Sequence, residues 1–176
     1  MKDRIAIILH SILYVLNKFD NKTVDSHKLS KILYFADQKH LTKYGKDITG
    51  DSYVAMKFGP VPSCVLDIIN CAKDGSTYEE SIELASNGID VDGYNVKALS
   101  DFDPEWLSKS EINCIDESFE ENKNLSFSQL TDKSHDMAWN VAMHYMDKKK
   151  IAEAGGANEA LLNYIDSKEE VKNISF

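Results

Sequence analysis

The sequence predicts an α+β fold that is mostly α-helical, a single domain of about six to seven helices with a small antiparallel β-sheet. Three observations carry this. Apolar residues recur at three- and four-residue spacing through most of the chain, the period of a helix with one buried face. Residues 80–99 instead break into short apolar runs around Asn87-Gly88 and Asp92-Gly93, both hairpin turn signals. The 176 residues, 43% of them hydrophobic, suffice for a core, and no repeat, low-complexity tract or linker divides them.

Taken in order, Ile5, Ile8, Leu9, Ile12, Leu13 and Leu16 make an amphipathic helix of residues 3–18. Asp25 or Ser26 caps a second helix with Leu29, Ile32, Leu33, Ala36 and Leu41 inward and Gly45 as its stop. Residues 46–52 are a polar loop, and residues 52–58 alternate as a short strand. Gly59-Pro60-Val61-Pro62 reads as a rigid extended turn, since proline continues neither a helix nor a central strand. A third helix runs from 63 to 72, with Val65, Leu66 and Ile69 inward and Gly75 as its stop. Residues 80–99 are expected to form two or three short antiparallel strands.

Asp103-Pro104 starts a helix to residue 121 that buries Trp106, Leu107, Ile112, Ile115 and Phe119. Ser126 and Gln129 have capping-box spacing and open a short helix. Ser134 is placed as the cap of the next, with Met137, Ala138, Val141 and Tyr145 on one face. Lys148-Lys149-Lys150 and Gly155-Gly156 mark an exposed connection, the lysines complementing the end of a helix dipole. Asn158 caps a last helix carrying Leu161, Leu162 and Ile165.

The net charge of −9 disfavours general nucleic-acid binding, which phosphate neutralisation drives. The charge is uneven: residues 1–60 carry a net +4, residues 61–147 a net −13, and residues 148–176 none. An acidic middle suits a basic partner or a solvated exterior. Cys64, Cys71 and Cys114 contain no Cys-x-x-Cys, which fits a reducing cytoplasm and buried thiols rather than zinc or disulfides. The apolar run Ile5–Leu16 falls short of the ~20 residues of a membrane span and reads as a core helix.

The chemistry-bearing motifs are weak. Tyr53-x-x-x-Lys57 has a dehydrogenase spacing, but it lies in a predicted strand and lacks a dinucleotide loop. Ser134-His135-Asp136 holds the residue types of a hydrolase triad, yet consecutive helical residues do not face one another. Asp37 and His40 share a helix face without a nameable third metal ligand. The expectation is no catalytic residue, no metal and no cofactor, and hence an interaction protein rather than an enzyme.

Residues 28–62 add a resemblance. Lys28-Leu29, Lys31-Ile32-Leu33-Tyr34-Phe35-Ala36-Asp37, His40, Tyr44-Gly45, Ile48-Thr49-Gly50-Asp51, Tyr53 and Lys57-Phe58-Gly59-Pro60-Val61-Pro62 resemble the signature of the Panacea domain, the SocA-like antitoxin family also met in phage-associated proteins. Leu125-Ser126, Leu130-Thr131, Ser134-His135 and Ala138-Trp139 resemble its later segment more weakly. The chain departs from the family in Phe58, where tyrosine is common, and in His135-Asp136-Met137, where acidic or proline residues often precede the tryptophan. The resemblance implies a Panacea-like antitoxin domain over residues 1–147, with residues 148–176 a C-terminal connection and helix packed on it. It also implies an antitoxin whose partner is a cognate protein toxin; the cysteines, the short apolar run and the acidic balance add the expectation of a cytoplasmic protein with no membrane and with nucleic acid disfavoured, and a homo-oligomer is compatible with it.

Within the signature, Lys31, Tyr34 and Asp37 are expected on or beside the rim of the core. Tyr34, Asp37, Tyr53, Lys57, Phe58 and Pro60 are the candidate partner-binding residues around the helix–strand junction; the alternative is a structural hub. Three functions compete: direct masking of the toxin, a proteolytic adaptor that docks through the basic tail after Lys148 and delivers the toxin for degradation, and an enzyme that reverses a modification left by the toxin.

Overall fold

The first helix, α1 (Lys2–Asn17), buries Ile5, Ile8, Ile12, Leu13 and Leu16 along the expected stripe. The structure, a computed structural model, describes residues 2–77 and 79–174. After the short β1 (Thr23–Asp25), the Asp25 carboxylate accepts the Lys28 N–H and starts α2 (Ser26–Tyr44); Gly45 ends it in the left-handed region at φ 67°. Helix α2 organises the molecule. One side joins α1 in a core with Leu29, Ile32 and Leu33, and the other places Tyr34, Phe35 and Leu41 in a second apolar cluster.

The hairpin β2 (Tyr53–Met56) and β3 (Gly59–Pro62) then folds back over α2. This corrects the extended turn expected at Gly59–Pro62. Pro60 and Pro62 lie opposite Ala55 and Tyr53. Ala55 N–H donates away from β3 to His144 O, and Tyr53 O accepts from Met146 N–H. The ladder therefore asks neither proline for an N–H, and an edge strand tolerates both.

Helix α3 (Ser63–Asp74) follows, ending at Gly75 as expected, and then α4 (Glu80–Ser86). A helix at 80–86 replaces the first of the strands expected in 80–99: Ile82, Ala85 and Ser86 are buried, and burial of that helical face overrides the hairpin signal of Asn87-Gly88. Asp92-Gly93 is the tight turn, with Gly93 at φ 62°, between β4 (Ile89–Asp92) and β5 (Asn95–Ala98). The three-stranded sheet has the order β1-β5-β4, all antiparallel.

Asp103-Pro104 opens only a 3-10 turn, Pro104–Trp106, not the long helix expected. Ser108 starts α5 (Lys109–Asn122) with a full capping box to Glu111, and Trp106 stacks half-buried on His10. The Ser126–Gln129 box opens α6 (Phe127–Ser134) as expected. Ser134 is the last residue of that helix; Asp136 caps α7 (Met137–Val141), of which only Ala138 is buried. Lys148–Lys150 begin rather than end a helix, α8 (Lys148–Ala154), because the Asp147 carboxylate accepts the Lys150 N–H.

Helix α9 (Glu159–Ile174) starts where Asn158 accepts the Leu161 N–H, and Ile151, Ala152 and Ile165 join the cluster of Tyr34 and Phe35. The result is α+β and mostly helical. Its nine helices among the described residues exceed the expected count by α4 and α8. No described helix is long and apolar enough to cross a membrane.

Candidate partner-binding site

Lys31, Tyr34 and Asp37 stand three apart on α2 and form one stripe, and all three are buried, not on the rim. The loop after α2 and the β2–β3 hairpin cover that stripe and supply the partners of Lys31 and Asp37. Asp37 Oδ1 accepts the Ile48 N–H (2.7 Å) and the Thr49 N–H (3.1 Å), while Oδ2 accepts the Thr49 hydroxyl (2.6 Å) and the Tyr53 hydroxyl (2.7 Å). Burial, with Asp47 nearby, pushes the Asp37 carboxyl up to about 6, against the pull of those donors.

Tyr34 donates to Asp136 Oδ2 at 2.6 Å, and Asp136 also accepts from Gln38 and from the Trp139 N–H, so one carboxylate ties α2 to the start of α7. Burial and then Asp136 raise the Tyr34 hydroxyl well above its ordinary value. Asp51, likewise buried, accepts the Cys64 and Val65 N–H groups and so caps α3, whose own cap residue, Pro62, has no side-chain acceptor.

Lys31 differs. Its side chain is 1% exposed, and its ammonium donates to Pro60 O at 2.8 Å on β3. Burial lowers its pKa to about 8. Among the described residues no carboxylate pairs with it.

Above Lys31 opens a groove of about 830 Å³ between the hairpin, the start of α2, α3, the β4–β5 turn and the first residue of α6. Val61, Leu66 and Ile69 line it together with Lys31. Its rim carries large apolar side chains left in solvent: Met56 at 44%, Phe58 at 48%, Phe127 at 51% and Tyr94 at 81% exposure. The Phe58 and Phe127 rings meet edge to face at 5.3 Å, and His27 stacks on Phe127 at 4.0 Å. His27 Nε2 lies 3.3 Å from Phe58 O and 3.2 Å from Thr131 Oγ1, while its Nδ1 is buried without a partner. Burial lowers the His27 pKa, and the Lys31 charge lowers it further.

Of the six candidate residues, Tyr34, Asp37, Tyr53 and Pro60 are therefore buried, and Lys57 and Phe58 are exposed. Met56, Tyr94 and Phe127 escaped the sequence reading because their exposure depends on which elements meet. Phe127, directly after the cap Ser126, was the most accessible signal, since a first-turn aromatic follows a cap without a core to enter. The other motifs dissolve into structure. Ser134 donates to Thr131 O, His135 stacks on Trp139, and Asp136 caps α7. The His40 ring nitrogens lie at Lys46 O (2.7 Å) and Ser110 Oγ (3.2 Å). No group of three His, Cys, Asp or Glu among the described residues is arranged to hold a metal ion.

Comparison with known proteins returns one family. The model described as "Antitoxin SocA-like, Panacea domain" matches residues 29–140, from the buried stripe of α2 through the hairpin to the Asp136-capped helix. No curated protein and no solved structure matches the chain. Spanning well over half of the sequence, the family match makes this chain a member of the SocA-like antitoxins with a Panacea domain.

Proposed function

We propose that the chain neutralises its cognate toxin by direct protein–protein binding, with the toxin seated on the groove at the tip of the β2–β3 hairpin. Family membership supplies the antitoxin role and a toxin as partner. The observation that carries the binding mode is the exposure of Met56, Phe58, Tyr94 and Phe127 around one concave apolar surface. Clustered aromatics beside a pocket are where interface energy concentrates. The tip is held before any partner arrives, by strand pairing on both sides of Lys57-Phe58 and by His27 at the Phe58 carbonyl, so little entropy remains to be lost on binding.

The adaptor alternative needs a second docking surface on the basic tail after Lys148, where Lys148, Lys149 and Lys150 pair with Asp47, Asp166 and Glu153.

Co-expression with the adjacent reading frame, purifying through a tag on this chain, tests the reading. The expected result is restored growth and a stoichiometric complex by light scattering. Phe58→Asp should melt within a few degrees of the wild type, as exposed substitutions do, yet lose both the complex and protection. A Phe58→Asp variant that still protects sinks the groove; rescue with falling toxin levels and no complex sinks direct binding.

A further inference from the structure

We propose that the groove takes an aspartate or glutamate of the toxin next to an apolar side chain, the carboxylate accepting hydrogen bonds from Lys31 Nζ on the groove floor. This rests on the reading that the toxin docks in the groove, and it names the chemistry of the docking segment.

The argument starts from an incomplete set of contacts. An ammonium has three donors. Lys31 commits one, to the neutral Pro60 carbonyl, and no described carboxylate lies within ion-pair distance of it. Buried charges in folded proteins are paired as a rule, because an unpaired one forfeits its hydration without return. Nothing lining the groove completes the pair. Asp25, its one carboxylate, is spent on the Lys28 N–H as the cap of α2.

The remaining charged or polar features point the same way. Lys57 stands on the rim, and Ser26 and His27 bring the N-terminal end of a 19-residue helix to the groove, an end that favours negative charge. In a chain of net charge −9 this is a local basic spot with apolar walls. Val61, Leu66 and Ile69 give an apolar side chain its contact, while the carboxylate reaches Lys31. The lowered Lys31 pKa, about 8, still leaves the ammonium largely protonated at neutral pH. Backbone approach is set by Gly59: a Cβ there would stand 3.0 Å from Lys31 Cε and 3.1 Å from Nζ, so the hairpin backbone packs directly against the ammonium on that side.

The test is a double-mutant cycle on the purified complex with the adjacent-frame toxin, read as Kd by calorimetry. Lys31→Met, similar in length and free of charge, is combined with neutralisation of each toxin Asp and Glu to Asn or Gln. Lys31→Met should bind at least 10-fold more weakly while melting at or above the wild-type temperature. One toxin carboxylate should cost a similar factor against the wild type and nothing further against Lys31→Met. Binding of Lys31→Met within twofold of wild type overturns the proposal, as does a loss that adds to every toxin substitution. Should Lys31→Met fail to fold, the toxin series against the wild-type chain decides: a 10-fold cost at one carboxylate supports the proposal, and its absence at all of them overturns it. Phe58→Asp run in parallel separates the two readings. A complex lost with Phe58→Asp but indifferent to Lys31→Met keeps the groove and removes the carboxylate; indifference to both removes both.

Discussion

Asp37 has no exposed surface and four donors aimed at its two oxygens. Asp37→Ala would leave the Ile48 and Thr49 N–H groups and the Tyr53 hydroxyl without an acceptor. Each such loss costs ~1–3 kcal/mol, so the variant should lose at least ~3 kcal/mol, a large share of a domain's ~5–15 kcal/mol. Asp37→Asn keeps one carbonyl oxygen, sheds a buried charge and should lose less. Urea unfolding of both variants checks the order, and an alanine variant less than ~1 kcal/mol below wild type would mean that the 46–52 loop finds other acceptors.

The chemistry of this stripe was legible in the sequence, but its placement was not. A lysine, a tyrosine and an aspartate at three-residue spacing on a helix read as a polar rim when the helix is considered alone. That a loop and hairpin from residues 46–62 would fold over them, bringing acceptors for Lys31 and donors for Asp37, is a long-range fact that helical periodicity does not carry.

At the scale of elements the β2–β3 hairpin is the critical piece, and Gly59 is its critical position. Its φ of 96° lies where side chains are strained, and an added Cβ would stand 2.2 Å from Ser134 Oγ and 3.0 Å from Lys31 Cε. Gly93, in the other hairpin, has φ 62° and open space around it. Gly93→Ala should therefore cost only the left-handed backbone, ~1–2 kcal/mol, while Gly59→Ala adds a collision with buried groups and should cost clearly more. Thermal melts of the pair check this; equal losses would mean that α6 retreats from the hairpin freely.

Local signals predicted elements well wherever the signal was itself local. The Asp25 cap, the Gly45 and Gly75 stops and the Ser126–Gln129 box all act within one turn of the helix they bound. The misses differ in cause. β3 was missed because prolines forbid only some strand positions, and which ones depends on the partner strand. Helix α4 was missed because seven residues beside a turn signal have too short a period to read. Helix α8 does begin at a local cap, Asp147, but the three lysines after it complement the end of a helix dipole and so read as a helix end.

Across the whole molecule, part of the sequence's charge asymmetry is resolved internally. Lys18, Lys39 and Lys43 of the basic first third pair with Asp116, Glu121 and Glu117 of the acidic middle along α5. Exposed pairs of this kind contribute ~0–1 kcal/mol each, so they orient α5 on α1 and α2 more than they hold it. The stronger dependence on conditions comes from three histidines, His40 buried and His10 and His27 half-buried. His10 must be neutral at Nδ1, which accepts the Asp103 N–H at 3.1 Å, and His40 has no exposed surface. Burial lowers the pKa of His10, His27 and His40 alike below the ordinary 6.5, against raising contributions from Asp103 at His10, from Asp25 at His27 and from Glu111 and Asp47 at His40. Just below pH 6.5 the unfolded chain then binds more protons than the folded one, so stability falls on acidification. Asp37 acts in the opposite sense. Its carboxyl, raised to about 6 from 3.8, is half-protonated in the folded state near pH 6 while the unfolded one is still ionised, so its offset of the histidines sets in as pH approaches 6 and grows below it. Lys31, near 8, is already mostly protonated at pH 7.5 in either state. The interval from pH 7.5 to 6 therefore belongs mainly to the three histidines, and the urea midpoint should fall across it. Asp37→Asn should lose stability more steeply than the wild type below pH 6, because the offsetting proton uptake of the folded carboxyl is gone. A midpoint that stays level or rises from pH 7.5 to 6 would contradict the lowered histidine values, and parallel wild-type and Asp37→Asn curves below pH 6 would contradict the raised aspartate.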